Sequence, residues 1–181
     1  MQYDSDMAGH NKWKQIKHQK AKTDAQKSKV YTKYARLIGA EVKKAKGDLS
    51  SPSLAAVIEK AKKENVPKDV IDRAIKKSES SGDMVQISYE AYGPGGCAMI
   101  IEALTENRNK AAQEIKFILS NHGFELAGMG AAAWAFTHNP DGSWTPNTTM
   151  DLSDEDLAVL DALVDELDAN DEVQEVFTNV S

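Results

Sequence analysis

From Asp24 onward the apolar positions fall into a helical rhythm. Val30, Tyr34, Leu37, Ile38, Val42 and Ala45 recur at i, i+3 and i+4, the spacing of one buried helix face. Gly47 and Asp48 mark a stop. A second helix is expected from Ser53, with Leu54, Val57, Ile58 and Ala61 on one side, broken by Asn65-Val66-Pro67. A third runs from about Lys68, with Val70, Ile71, Ala74 and Ile75 inward. The polar stretch SESSGD at 78–83 reads as a linker.

Beyond it the period changes. Val85, Ile87, Tyr89 and Ala91 alternate with Gln86, Ser88, Glu90 and Tyr92, which predicts a strand. Gly93-Pro94-Gly95-Gly96 is a turn signal, and Cys97 to Ala103 an apolar strand. A helix is expected with Ala111, Ala112, Ile115, Ile118 and Leu119 inward, ended by Asn121-His122-Gly123. Ala131 to Phe136 reads as a strand, and 137–150, with Pro140, Gly142 and Pro146, as a loop. Ser153 and Asp156 resemble a capping box before Leu157, Leu160, Leu163, Val164 and Leu167, and Val173 to Val180 closes as a strand. The fold class is therefore α+β. A basic arm (7–23) and three-helix domain fill 1–82, and an α+β sheet domain with helices on one face fills 83–181.

Charge sharpens this division. The net charge is −6, but residues 1–82 hold 19 basic and 10 acidic side chains, whereas 83–181 hold 3 and 18. Within 7–46 the balance is 12 basic against 2 acidic, and 137–181 have 12 acids and no Lys or Arg. A basic arm on an acidic remainder points to a polyanion partner. Hydrophobic residues, at 41%, suffice for packed cores. The single cysteine, Cys97, rules out an internal disulfide framework and multi-cysteine zinc sites. No apolar run is long enough for a membrane span. MQYDSD has neither the basic nor the apolar region of a leader, so a cytoplasmic protein is expected.

The densest chemistry is GHNKWKQIKHQKAKTD, residues 9–24. Lys12, Lys14, Lys17, Lys20 and Lys22 suit phosphate neutralisation, and the series continues through Lys29, Lys33 and Arg36 on the first helix. Trp13 among lysines suits stacking on an unpaired base; equally, Trp13 and Ile16 could pin the arm to the helices. No arginine precedes Arg36, which favours backbone binding over base reading. Arg108 at a helix start is compatible with an anion site or with a solvated side chain beside a cap made by Thr105 or Asn107. Gly93-Pro94-Gly95-Gly96 lacks the Lys-Ser or Lys-Thr of a phosphate loop and reads as a hairpin turn. The four histidines have no ligand spacing, Cys97 reads as a core thiol, and no nucleophile–base pair stands out. No metal, cofactor or catalytic site is expected, and the oligomeric state stays open.

Together GHNKW at 9–13, KHQKA with Asp24, YTK at 31–33, NVPKDVIDRAIKK at 65–77, YEAYGPGG at 89–96 and TENRN at 105–109 resemble the YebC/PmpR family, which includes the mitochondrial translational activator of cytochrome oxidase subunit one. The resemblance implies a nucleic-acid-binding regulator of gene expression, usually described as a DNA-binding transcriptional regulator. Ribosome-associated translation factors, acting through ribosomal RNA, form the alternative, and a protein-interaction module a second one. It implies His10, Lys12, Trp13, Lys14, Lys17, His18 and Lys20 as binding residues, with Arg108 and Asn109 as weaker candidates. Family members begin at Met-Ala-Gly-His, so residues 1–6 read as an extension before Met7. The family has a third domain inserted into the second; here only 137–150 stand in its place, which implies a short form.

Overall fold

The computed structural model describes residues 23–181. Their chain divides into two compact units, 23–87 with 104–108 and 88–103 with 109–181.

The first unit is built on three helices: α1 (Asp24–Lys44), α2 (Pro52–Lys63) and α3 (Lys68–Lys77). Thr23 starts α1 with a full capping box. Its hydroxyl accepts from the Gln26 amide at 3.3 Å, and its own amide donates to Gln26 Oε1 at 2.8 Å. Pro52 opens α2, where a missing N–H costs nothing. Asn65, at φ +60°, ends that helix by turning the Val66 amide back onto the Ala61 carbonyl at 3.0 Å. Val66 is thereby buried beside Ile38, Val42, Leu54, Ala61, Ile71 and Ala74. Residues 78–83 are tied down more than a linker would be. Ser78 is buried, and the Lys43 ammonium donates to the Ser81 carbonyl and lies 3.2 Å from Asp83 Oδ1.

In the second unit, β1 (Val85–Tyr92) and β2 (Ala98–Thr105) extend from the helical unit into a four-stranded sheet. It also contains β3 (Leu126–Ala127) and β6 (Val173–Thr178), in the order β3-β1-β2-β6. Helices α4 (Arg108–Asn121) and α5 (Asp154–Ala169) cover one face. Met99, Ile101 and Ala103 of β2 meet Ile115, Leu119, Leu160, Leu163 and Leu167 there. Alternation sends Ala98 and Ile100 to the opposite face, onto Ala132, Ala135, Phe136 and Trp144. Every residue of β2 is therefore buried. Burial of each large apolar side chain here contributes about 1.5–3 kcal/mol.

What covers this second face departs from the sequence expectation twice. Of residues 131–136, expected as a strand, only Phe136 is in one: a turn leads into a 3-10 turn at Ala133–Ala135. The reason is that side chains take the backbone groups a ladder would use. The Glu90 carboxylate accepts from the amides of Gly130 (2.6 Å), Ala132 (2.7 Å) and Ala133 (2.8 Å), and the Tyr92 hydroxyl donates to the Ala131 carbonyl. Nor are residues 137–150 loop throughout. β4 (Phe136–His138) pairs antiparallel with β5 (Trp144–Pro146) as a hairpin. Its turn is set by Asp141, whose carboxylate accepts from the Ser143 amide at 3.0 Å, and by Gly142 at φ +85°. Trp144 anchors it, meeting Phe136 edge-on and donating its indole N–H to Glu102 Oε1 at 2.8 Å. Glu102 is buried and also accepts from the Ser88 hydroxyl.

Candidate nucleic-acid interface

Lys29, Lys33 and Arg36 sit at i, i+4 and i+7 of α1, so they share one face. That face lies opposite Val30, Tyr34, Ile38 and Val42, which pack on the other two helices. Lys29 is exposed, and Lys33 and Arg36 are half-buried. Arg36 is engaged structurally: its guanidinium Nη2 donates to the Leu104 carbonyl at 2.8 Å. This bond ties the end of β2 to α1, so the segment 104–108, with Arg108, belongs to the same compact unit as the lysine stripe.

Arg108 begins α4 and is exposed, as is Asn109. Just before them Thr105 is fully buried, and its hydroxyl accepts from the Asn107 amide at 2.9 Å. His10, Lys12, Trp13, Lys14, Lys17, His18, Lys20 and Lys22 lie outside the described residues.

The charge partition follows the two units. The described helical unit holds 15 basic and 10 acidic side chains, and the sheet unit 2 and 16. Among the described residues, net positive charge is confined to the helical unit. Among the described residues there is no grouping of His, Cys, Asp and Glu that could hold a metal ion, and no helix long and apolar enough to cross a membrane.

The YEAYGPGG motif is architectural here. Ser88, Glu90 and Tyr92 project from one face of β1, and the latter two clamp residues 130–134; the Trp134 indole N–H donates to the Tyr92 hydroxyl at 2.9 Å. Burial pushes the Glu90 carboxyl up, but its three backbone amides outweigh that and hold it below the ordinary value. The turn after it is a 3-10 turn at Pro94–Gly96. Cys97 is buried, and desolvation pushes its thiol up to about 11, so it stays a neutral core group. Sequence reasoning placed no role on Glu90; its signal was a lone carboxylate between two tyrosines on a half-buried strand.

The two units define a class: an α+β protein with a positive helical unit joined to a strongly acidic sheet unit. A family model described as the TACO1/YebC protein N-terminal domain matches residues 11–81, and one described as the TACO1/YebC second and third domain matches 84–141. The chain belongs to the TACO1/YebC family. A relative from Fervidobacterium nodosum, named a probable transcriptional regulatory protein, is 42% identical over 171 residues, covering 92% of this chain and 68% of its own length. One of the same name from Thermotoga maritima is 39% identical over 173 residues, with 93% and 68% covered. The crystal structure of a conserved hypothetical protein from Aquifex aeolicus is similar at a TM-score of 0.79 and 26% identity, over 93% of this chain and 96% of that one.

Proposed function

We propose that this chain is a nucleic-acid-binding regulator of gene expression that acts in the cytoplasm without catalysing a reaction. The observation that carries the reading is the concentration of 12 basic against 2 acidic side chains in residues 7–46. The relatives' name, probable transcriptional regulatory protein, agrees with it. In this reading Lys12, Lys14, Lys17, Lys20 and Lys22 neutralise phosphates, and Lys29 and Lys33 extend the track along α1. His10, Trp13 and His18 add contacts to bases and sugars, Arg108 and Asn109 are secondary contacts, and Arg36, on the same α1 face as Lys29 and Lys33, also donates to the Leu104 carbonyl. The hairpin at 136–146 stands where the family's inserted domain would begin, making this a short form; the relatives are longer, with 68% of their length covered.

A second reading, a translation factor that binds ribosomal RNA on the ribosome, is favoured by one feature. The basic stretch has no arginine before Arg36, and Arg36 itself donates to a main-chain carbonyl. Lysines hold a backbone but discriminate bases poorly.

Replacing Lys12, Lys14, Lys17 and Lys20 by Ala should reduce the slope of log affinity against log salt by about 3–4, at roughly 0.7–0.9 per phosphate contact. An unchanged slope refutes the proposed binding surface. In the same titrations Trp13→Ala should weaken binding to RNA with exposed loops more than to duplex DNA, since a stacked base contributes about 1–3 kcal/mol. A defined promoter winning over random duplex by about a thousandfold, with RNA binding untouched by Trp13→Ala, would select the DNA reading.

A further inference from the structure

The sheet unit carries a surface that phosphate binding does not use. A hollow of about 560 Å³ lies between α4 and α5, lined by Glu114, Phe117, Ile118, Glu166, Ala169 and Asn170. Phe117 is 64% exposed, because it falls outside the α4 face that buries Ala111, Ile115, Ile118 and Leu119. The small side chain of Ala169, at the last position of α5, leaves the space beside it open. Phe117, Ile118 and Ala169 make the hollow mainly apolar beside its carboxylates. The hollow is wide open to solvent, so it suits a segment laid across it and not an enclosed small molecule.

The rim decides what fits. Glu166 is held at 2.7 Å from His122 Nε2, and Glu114 accepts from Asn170 Nδ2 at 2.9 Å. Both carboxylates keep solvent access, with 44% and 37% of their side chains exposed, and a carboxylate has acceptor positions beyond one bond. Among the described residues the sheet unit has 16 acidic side chains and two lysines, Lys110 and Lys116, and Lys110 is engaged by Glu172 at 3.0 Å and Glu114 at 3.7 Å. A nucleic acid is repelled from such a surface, and an acidic peptide likewise.

We propose that the α4–α5 groove docks a cationic segment of another protein, one that seats an apolar side chain on Phe117 while flanking lysines or arginines meet Glu114 and Glu166. This is the groove mode of peptide recognition, with apolar anchors for affinity and charges for orientation. It does not depend on which nucleic acid the basic residues bind.

The test uses the full chain and three fluorescein-labelled synthetic peptides of equal length: lysine–leucine, lysine–serine and glutamate–leucine. Anisotropy titrations at one salt concentration should show the first binding at least about tenfold tighter than the other two, the contribution of one good apolar anchor. Phe117→Asp and, separately, Glu166→Lys should each weaken it by about tenfold or more, with far-ultraviolet dichroism and melting unchanged. Amide shifts should map to 113–118 and 166–170. Equal binding of the lysine–serine peptide, or no effect of both substitutions in folded protein, overturns the proposal. So does a tenfold or greater gain on reversing Lys12, Lys14 and Lys17 to Glu, which makes the chain's own basic segment the occupant. Self-association abolished by Phe117→Asp, without peptide binding, overturns it in favour of a second copy.

Discussion

Replacing Glu90 tests whether a buried carboxylate, and not strand pairing, shapes the cover over the sheet. Its oxygens accept from three amides, of which Ala132 is buried, Ala133 half-buried and Gly130 exposed. Water can replace the acceptor at Gly130, so the cost concentrates at the other two. With about 1.5–3 kcal/mol for each bond to a charged group, Glu90→Ala should destabilise the protein by about 3–5 kcal/mol. Glu90→Gln keeps one accepting oxygen but turns an amide donor toward a donor, so about 1.5–3 kcal/mol is expected. The sign with pH follows from the lowered folded-state value. The carboxylate's contribution is fully present above the ordinary 4.5 and is lost as pH falls through the lower folded value. Urea unfolding followed by tryptophan fluorescence should therefore show the gap between wild type and Glu90→Gln wide at neutral pH and closing in acid. A neutral-pH gap under about 0.5 kcal/mol, the scale of inert surface changes, or a gap independent of pH, would refute the assignment.

Arg36→Leu should cost about 1–2 kcal/mol in urea unfolding by leaving the Leu104 carbonyl without its donor, yet leave the salt slope of nucleic-acid binding unchanged. Lys29→Ala with Lys33→Ala should do the reverse, lowering the slope by about 1–2 with little change in stability. Gly95 has φ +62°, and a Cβ there would lie 2.6 Å from Leu152 Cδ2, whereas Gly96, at φ +81°, faces open space. In thermal melts Gly96→Ala should cost only the backbone term of about 1–2 kcal/mol, and Gly95→Ala clearly more.

Much of the fold could be read from local signals, because those signals are what the structure uses. The faces Ile38–Val42 and Leu160–Leu163–Leu167 are buried as their spacing requires, with Val30 packed at the edge of the first. Asn65-Val66-Pro67 ends a helix for the reason its residues suggest. The segment 131–135 is apolar and strand-like taken alone. Its conformation is imposed by Glu90 and Tyr92, some forty positions away in sequence. The hairpin was hidden in the same way. Pro140 and Gly142 announce a turn, but the pairing on either side depends on Trp144 finding Phe136 and the buried Glu102. No window of local pattern contains those partners.

For the candidate interface the informative quantity was the distribution of charge, not any single motif. Counting by sequence halves already separated a basic arm from an acidic remainder. Leu104 to Arg108 leave the acidic half and belong to the basic unit, where the Leu104 carbonyl accepts from Arg36, so Arg108 is in the same unit as Lys29 and Lys33. Arg36, which residue type puts at the end of the lysine series, also donates to a main-chain carbonyl 68 positions away, a contact no local pattern announces. Residue type says what a side chain can do; the Leu104 carbonyl adds a structural task to Arg36 that its residue type alone does not reveal.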